Sequence, residues 1–244
     1  MSKDEIEQSR NANEYISWFE SKLEVTRQLN RKESAYKDFL LRNTTVNNKK
    51  TLLIKKFYEE LFPLYRLIQS KRMEWNNVLF KPIMGSQNYD VEITPQTSGV
   101  PEYLEITVAD MNEYENARME YFCTHPSVSM IDDVTISRDK EKGRIITVRE
   151  DTGSQEKVNL EIAERIKNLI NNKMEEKKRP NNTALLVHFD DYTAFRYDSS
   201  QSRDDMNSFL DNLELKWFKR YSFLYLRGAS GKSFYERSAQ NETS

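Results

Sequence analysis

The chain of 244 residues has one cysteine, Cys123, and two histidines, His125 and His188. A single cysteine excludes an intramolecular disulfide framework and a cysteine-based structural zinc site, and two histidines exclude a histidine-rich metal site. A site in which carboxylates and water hold a hard cation such as Mg²⁺ stays open. Because cysteine and histidine are scarce, acidic residues are the candidate metal ligands of this chain.

Long apolar runs and net charge are also lacking. No hydrophobic stretch approaches the roughly 18 residues of a membrane-spanning helix, and residues 1–8 are polar and acidic. We therefore expect no signal peptide, no membrane span and a cytoplasmic location. The formal net charge of −2 provides no overall attraction for nucleic acid, so a polyanion would have to meet a local basic patch.

Charged and aromatic side chains are abundant instead. Charged residues make up 31% of the chain and aromatic residues 11%. This aromatic content is too high for a disordered protein and predicts a folded core. Several basic clusters occur, and in the last of them aromatic residues alternate with cations in a way that suits base stacking. Solvated surface explains such clusters equally well. The clusters are Lys49-Lys50, Lys55-Lys56, Lys71-Arg72, Lys177–Arg179 and Lys216–Arg220.

The organisation of the chain changes near residue 75. Before it, apolar residues recur every three or four positions and no glycine occurs, which predicts two or three helices. After it, short strand-like runs at 78–84, 89–94 and 103–109 are separated by turn residues. We predict a helical N-terminal region over residues 1–75, an α/β domain over 76–237 and a disordered tail over 238–244.

The second half predicts further strands and helices. A helix is expected over 110–123, a hairpin from 131–137 and 144–149, and an amphipathic helix ending near Met174. The apolar run Ala184–Phe189 follows that helix directly, which is typical of a crossover into a strand buried on both faces. With a helix over 204–215 and a last strand over 223–226, the fold class is α/β, with a mixed central sheet flanked by helices.

Two acidic residues lie on consecutive predicted strands. Asp90 stands in Asn88-Tyr89-Asp90-Val91-Glu92, and Glu105 stands in the middle of the next strand, in Leu104-Glu105-Ile106-Thr107. Carboxylates on neighbouring strands can share a divalent cation. Two solvated or ion-paired acids would produce the same pattern, and Glu92 competes with Glu105 for the role.

The order of these elements resembles that of the PD-(D/E)XK nuclease superfamily, which has the restriction-endonuclease-like fold. Tyr89-Asp90 matches the first acidic position of that family without its proline. Leu104-Glu105-Ile106-Thr107 matches the segment of a hydrophobic residue, Glu, any residue and Lys, with threonine in place of the lysine. The resemblance covers about residues 59–190.

The resemblance implies a metal-dependent nuclease that hydrolyses phosphodiester bonds in DNA or RNA. Asp90 and Glu105 would bind Mg²⁺ or Mn²⁺. Thr107, which can only form hydrogen bonds, or a lysine on the crossover helix, Lys173 or alternatively Lys167, is expected to assist the attacking water. Many such nucleases act as dimers, so the resemblance is also compatible with an oligomer.

Two further implications concern the N-terminal helices. Glu59 or Glu60, on the helix before the sheet, resembles an additional acid that some members of the family use, and it is a candidate metal ligand. The alternative function is a catalytically inactive module on the same fold that binds nucleic acid or a protein. In that hypothesis the N-terminal helices form the partner surface, with Trp18 and Phe19 exposed.

The segment Gly228-Ala229-Ser230-Gly231-Lys232-Ser233 ends like a phosphate-binding loop. The full motif needs a glycine five residues before Gly231, where Leu226 stands, and a long helix after it. We therefore expect a strand and a turn, from which Arg227 and Lys232 can still contact phosphate. His188 lies inside an apolar strand and is expected to be packed rather than to act as a base.

Overall fold

The structure is a computed structural model. It describes residues 2–30, 56–85, 87–95, 99–109, 133–139, 143–149, 155–175, 179–189, 191, 208, 217–231 and 233–239. The predicted helix over 110–123 lies outside the described residues, as do Lys232 and all of the predicted helix over 204–215 except Ser208.

Helical segments precede most of the sheet in the chain. They are α1 (Lys3–Ile6), α2 (Ala12–Asn30), a π-helical turn (Phe57–Leu61) and α3 (Phe62–Lys71), which continues directly from that turn. Ser2 caps α1, because its hydroxyl accepts a hydrogen bond of 3.1 Å from the Glu5 amide. Pro63 lies in the first turn of α3, where a residue without an N–H is tolerated.

A seven-stranded mixed sheet forms the centre of the fold. The described strands are β1 (Arg10–Asn11), β2 (Leu79–Pro82), β3 (Val91–Thr94), β4 (Tyr103–Ala109), β5 (Asp133–Asp139), β6 (Gly143–Arg149), β7 (Thr183–Phe189), β8 (Phe223–Gly228) and β9 (Phe234–Ser238). The strands of the large sheet lie in the order β1, β2, β3, β4, β7, β8, β9, and the predicted hairpin forms a separate two-stranded sheet from β5 and β6.

The parallel part of the sheet requires a crossover. Strands β1 to β4 pair in antiparallel fashion, β4 pairs in parallel with β7 and β7 in parallel with β8, and β9 returns antiparallel to β8. Helix α4 (Gln155–Glu175) lies between β4 and β7 in the chain, as a parallel connection needs. The predicted α/β class with a mixed sheet is confirmed.

The core has two layers, one on each face of the sheet. Strand β7 supplies both, since all seven of its residues are buried and its side chains alternate between faces. Ala184 and Leu186 pack with α2 and α3, whereas Leu185, Val187 and Phe189 pack with α4 and the 3₁₀ turn Trp217–Lys219. Burial on both faces, as the apolar run predicts, is confirmed.

The N-terminal helices belong to the first of these layers. Phe19 is fully buried and stacks on Phe57 and Tyr65 at centroid distances of 4.8 and 4.7 Å, so the predicted exposure of Phe19 is wrong. It faces inward because α2 turns its aromatic side toward α3. Trp18 is partly exposed and lies under the Arg10 guanidinium, 4.3 Å from its ring centroid.

Two other observations concern the ends of the chain. Strand β9 includes Ser238, the first residue of the predicted tail, and residues 240–244 lie outside the described residues. In the part of the chain that the structure describes, no helix has the length and apolar character needed to cross a membrane. The boundary drawn near residue 75 stays a prediction.

Candidate functional site

The register of β3 and β4 brings the two predicted acids together. Val91 pairs with Leu104, which puts Asp90 opposite Glu105. The Asp90 amide donates to the Leu104 carbonyl at 2.8 Å, and the Asp90 Oδ2 atom accepts from the Ile106 amide at 2.7 Å. Asp90 is therefore held rigidly against β4 by its backbone and its side chain.

A cavity of about 460 Å³ opens over this pair. Its lining includes Asp90 and Glu105 from the sheet, Lys173 and Glu175 from the end of α4, and Arg179 from the segment before β7. Acidic and basic side chains from three separate segments thus converge on one opening. Such a concave site with a few convergent polar groups is where ligand binding is expected.

Lys173 contacts Glu105, the acid that has threonine instead of lysine two positions later in the sequence. Its Nζ atom lies 3.1 Å from Glu105 Oε1, and its side chain is 23% exposed. Lys167, the other candidate, is exposed on α4 and is not among the residues described as lining the cavity. Thr107 is partly buried on β4, pairs with Val187 and is also not among them.

Glu105 is buried and heavily bonded. Its side chain is only 9% exposed. The Arg179 guanidinium donates to both carboxylate oxygens, from Nε to Oε2 and from Nη2 to Oε1, the latter at 3.2 Å. The Tyr221 hydroxyl donates to Oε2 at 2.7 Å. Burial alone raises the pKa of Glu105, but the bonds from Arg179 and Tyr221 and the charge of Lys173 outweigh it and lower that pKa below its ordinary value.

Asp90 has the opposite electrostatic character. Burial, followed by the negative charge of Glu60, raises the pKa of Asp90 to about 7, although the Ile106 amide and Lys56 favour its charged form. Two neighbouring carboxyl groups with pKa values displaced in opposite directions are typical of a site that performs chemistry. Asp90 and Glu105 are such a pair.

The donor set suits a hard cation only in part. Among the described residues, no group of three or more His, Cys, Asp or Glu side chains is arranged to hold a metal ion. Glu60 is ion-paired with Lys56, and Glu59 is partly buried on the π-helical turn. Mg²⁺ commonly takes one or two carboxylates and keeps several waters. Asp90 and Glu105 match that number of carboxylates, but Glu105 already bonds to Arg179, Lys173 and Tyr221.

Arg179 and Tyr221 were missed as site residues by the sequence analysis. Arg179 was counted only in a basic cluster, and Tyr221 follows another one closely. The arginine stands directly before Pro180 and β7, beyond the end of the crossover helix, so it meets the same end of the sheet as Lys173. A basic residue between the crossover helix and the buried strand is the sequence signal that would have identified Arg179 as a site residue.

Comparison with known proteins adds no relative. No protein-family model, curated protein or solved structure is found to match this chain.

Stability should depend on the protonation of Asp90. Since folding raises the pKa of Asp90 from 3.8 to about 7, its stabilising contribution is present below about pH 4 and is lost as pH rises to about 7. Relative to Asp90→Asn, the wild type should lose about 2–4 kcal/mol of unfolding free energy across that window. Urea denaturation of both proteins at several pH values measures this difference, and a difference that stays constant with pH would contradict it.

Proposed function

We propose that the chain is a metal-dependent nuclease-like hydrolase that cleaves phosphodiester bonds in DNA or RNA. The observation that carries the proposal is the Lys173 amine at Glu105 in the cavity that Asp90 also lines. Lys173 would take the role that the lysine of the PD-(D/E)XK motif has, from the crossover helix instead of the strand.

The order of elements supports a restriction-endonuclease-like fold for the same proposal. Helix α3 precedes three antiparallel strands, β2 to β4, and α4 then leads to β7, which is parallel to β4. Asp90 precedes β3 directly and Glu105 lies within β4. These are the positions expected of the two acids in that superfamily.

The residues of the cavity have distinct roles in this proposal. Asp90 and Glu105 would hold Mg²⁺ or Mn²⁺, which when bound lowers the pKa of a water and neutralises charge on the scissile phosphate. The Lys173 ammonium would stabilise negative charge that develops on a phosphate oxygen. Asp90 must be ionised to bind the ion, so activity should rise as pH rises through about 7.

Arg179 adds a condition to this arrangement. Because Arg179, Lys173 and Tyr221 all bond to Glu105, an ion can share that carboxylate only if one of the three partners moves aside. A displaced Arg179 would present its guanidinium to the cavity, where a phosphate oxygen can accept its N–H groups. The exchange of a protein cation for a metal ion would then accompany substrate binding.

The same bonding favours a second candidate function. A carboxylate that keeps Arg179, Lys173 and Tyr221 permanently is a structural ion pair, and the protein is then an inactive module on this fold that binds nucleic acid or a protein. Burial of Phe19 removes one of the two apolar residues proposed for a partner surface on the N-terminal helices. The two candidates differ in whether a divalent cation binds.

Calorimetric titration with Mg²⁺ and with Mn²⁺ tests the proposal directly. We expect the wild type to bind both ions, and Asp90→Asn to lose that binding while keeping the hydrogen bond from the Ile106 amide. The matched control is Glu92→Gln. Glu92 lies on β3, two residues after Asp90, and its side chain is 38% exposed and pairs with Lys81 at 3.0 Å.

Cleavage of single- and double-stranded DNA and RNA is measured with the same three proteins. The wild type and Glu92→Gln should cut with a divalent ion present, and Asp90→Asn should not. A wild type that neither binds the ions nor cuts any of these substrates overturns the nuclease proposal in favour of the inactive module.

A further inference from the structure

A second polar cluster lies on the sheet, away from the cavity. We define the arginine cluster as Arg66 of α3, His188 of β7, Arg227 of β8 and Ser233, which precedes β9. His188 stands three residues beyond Leu185, the partner of Glu105, which is roughly 10 Å along the strand. It also points to the opposite face, where its ring meets Phe62 edge-on at 5.7 Å.

The arginine cluster contains buried polar atoms that are not satisfied. Arg66 Nε, His188 Nδ1, Arg227 Nε and Ser233 Oγ are all inaccessible and form no hydrogen bond with the described residues. His188, Arg227 and Ser233 are only 5%, 7% and 1% exposed. Leaving such a group unpaired destabilises a folded protein. Four in one cluster therefore indicate a partner that the described residues do not supply.

The two guanidinium groups lie close together, and no carboxylate among the described residues bonds to both. Their described contacts are to the carbonyl and amide oxygens of Gly231, Ser233 and Gln69 and to aromatic rings. An atom at the Cβ position of residue 231 would lie 3.5 Å from Arg227 Nη2 and 3.6 Å from Arg66 Nη1. Both cations thus border the same small space.

Asp191, whose charge acts on His188 and Arg227, is bonded to the turn beside the cluster. Asp191 is fully buried, and its two oxygens accept hydrogen bonds from the Ser230 amide at 2.6 Å and the Ser230 hydroxyl at 2.7 Å. These bonds fix the turn between β8 and β9. Burial, and then the positive charge of Arg66, lowers the pKa of Arg227 even though Asp191 opposes the change. Among the described groups, one carboxylate thus opposes two guanidinium groups, which leaves one positive charge in excess.

Two glycines, Gly228 and Gly231, lie at the turn beside the cluster. Gly231 has a φ of +83°, a conformation that L side chains rarely adopt. At Gly228 a Cβ would collide with the Asp191 carboxylate. The turn formed by residues 229–231 is partly exposed, as is Arg66, so the cluster borders solvent at this turn.

We propose that the arginine cluster binds a phosphate group, either as a free ion or as the phosphate of a nucleotide or a nucleic-acid end. Two planar guanidinium forks can each donate to a tetrahedral oxyanion, and the Ser233 hydroxyl can donate to a third oxygen. No helix follows the turn, because β9 begins at Phe234. The mode of binding therefore differs from that of a Gly-Lys-Ser phosphate loop. This inference does not depend on the nuclease proposal.

Thermal unfolding in increasing inorganic phosphate tests the inference, with sodium chloride at matched ionic strength as the reference. At a phosphate concentration about a hundred times Kd, the wild-type Tm should rise by about 5–10 °C. Arg66→Met should weaken phosphate binding at least about tenfold, since it removes one of the two guanidinium groups. Arg72→Met is the matched control, because Arg72 is exposed just after the same helix and should bind phosphate as the wild type does.

Titrations with oligonucleotides then identify the source of the phosphate. Tighter binding of a 5′-phosphorylated strand than of its 5′-hydroxyl counterpart, lost in Arg66→Met, assigns the site to strand ends. Binding of inorganic phosphate or a nucleoside monophosphate alone assigns it to a small ligand. The inference is overturned if the wild type shows no phosphate-specific effect, or if Arg66→Met retains the whole effect.

Discussion

Arg179→Met is expected to lower the free energy of unfolding by about 3–5 kcal/mol at neutral pH, because it leaves a buried carboxylate without its main partner. The Arg179 side chain is 4% exposed and that of Glu105 is 9% exposed. The substitution also removes a guanidinium that lies 4.8 Å from the Tyr221 ring centroid. Urea denaturation followed by circular dichroism measures the loss.

Two further variants show whether the loss arises from the ion pair. Arg220→Met removes an exposed arginine next to Tyr221 and should change stability by less than about 0.5 kcal/mol. In the double variant Arg179→Met with Glu105→Gln, a neutral amide replaces the buried carboxylate, so part of the stability should return. Equal losses in the single and double variants would mean that the ion pair is not the cause.

Lys173→Met is expected to reduce the rate of Mg²⁺-dependent cleavage by about 10²–10³-fold, the usual effect of removing one group that stabilises transition-state charge. Methionine keeps the length of the apolar stem, so the packing of α4 should persist. The variant should still bind Mg²⁺, and no more weakly than the wild type, because Lys173 no longer competes for Glu105 Oε1. Rate and binding together separate a catalytic role from a structural one.

Lys167→Met is the matched control for this experiment. It lies six residues earlier on the same helix and is exposed, so its cleavage rate should equal that of the wild type. If Lys173→Met also cuts at the wild-type rate, Lys173 has no part in the reaction. The threonine at position 107 would then leave the site without an assigned catalytic cation.

Local patterns in the sequence predicted most of the sheet. Alternating and β-branched runs between turn residues located β2, β3 and β4, and the wholly apolar run at 184–189 located β7 together with its burial on both faces. Those signals come from near neighbours in the chain. The placement of Asp90 beside Glu105 follows from them, because a short connection between antiparallel strands determines the register.

The partners of Glu105 could not be obtained in the same way. Tyr221 is 116 residues from Glu105 in sequence and Arg179 is 74 residues away, so only the completed sheet brings them together. The direction of Phe19 was missed for a related reason. A helix with aromatic residues at adjacent positions, Trp18 and Phe19, cannot bury both equally, and the position of α3 decides which one is covered.

The two outer strands of the sheet affect how the protein meets other copies of itself. Strand β1 has only two residues, and the Arg10 side chain folds back to the Gln8 and Glu5 carbonyl oxygens at 2.9 and 2.6 Å. At the other border, β9 carries the adjacent charges of Glu236 and Arg237. Short and charged edges are poor templates for an added strand. A sheet with so apolar a centre is thus protected at both borders against edge-to-edge aggregation.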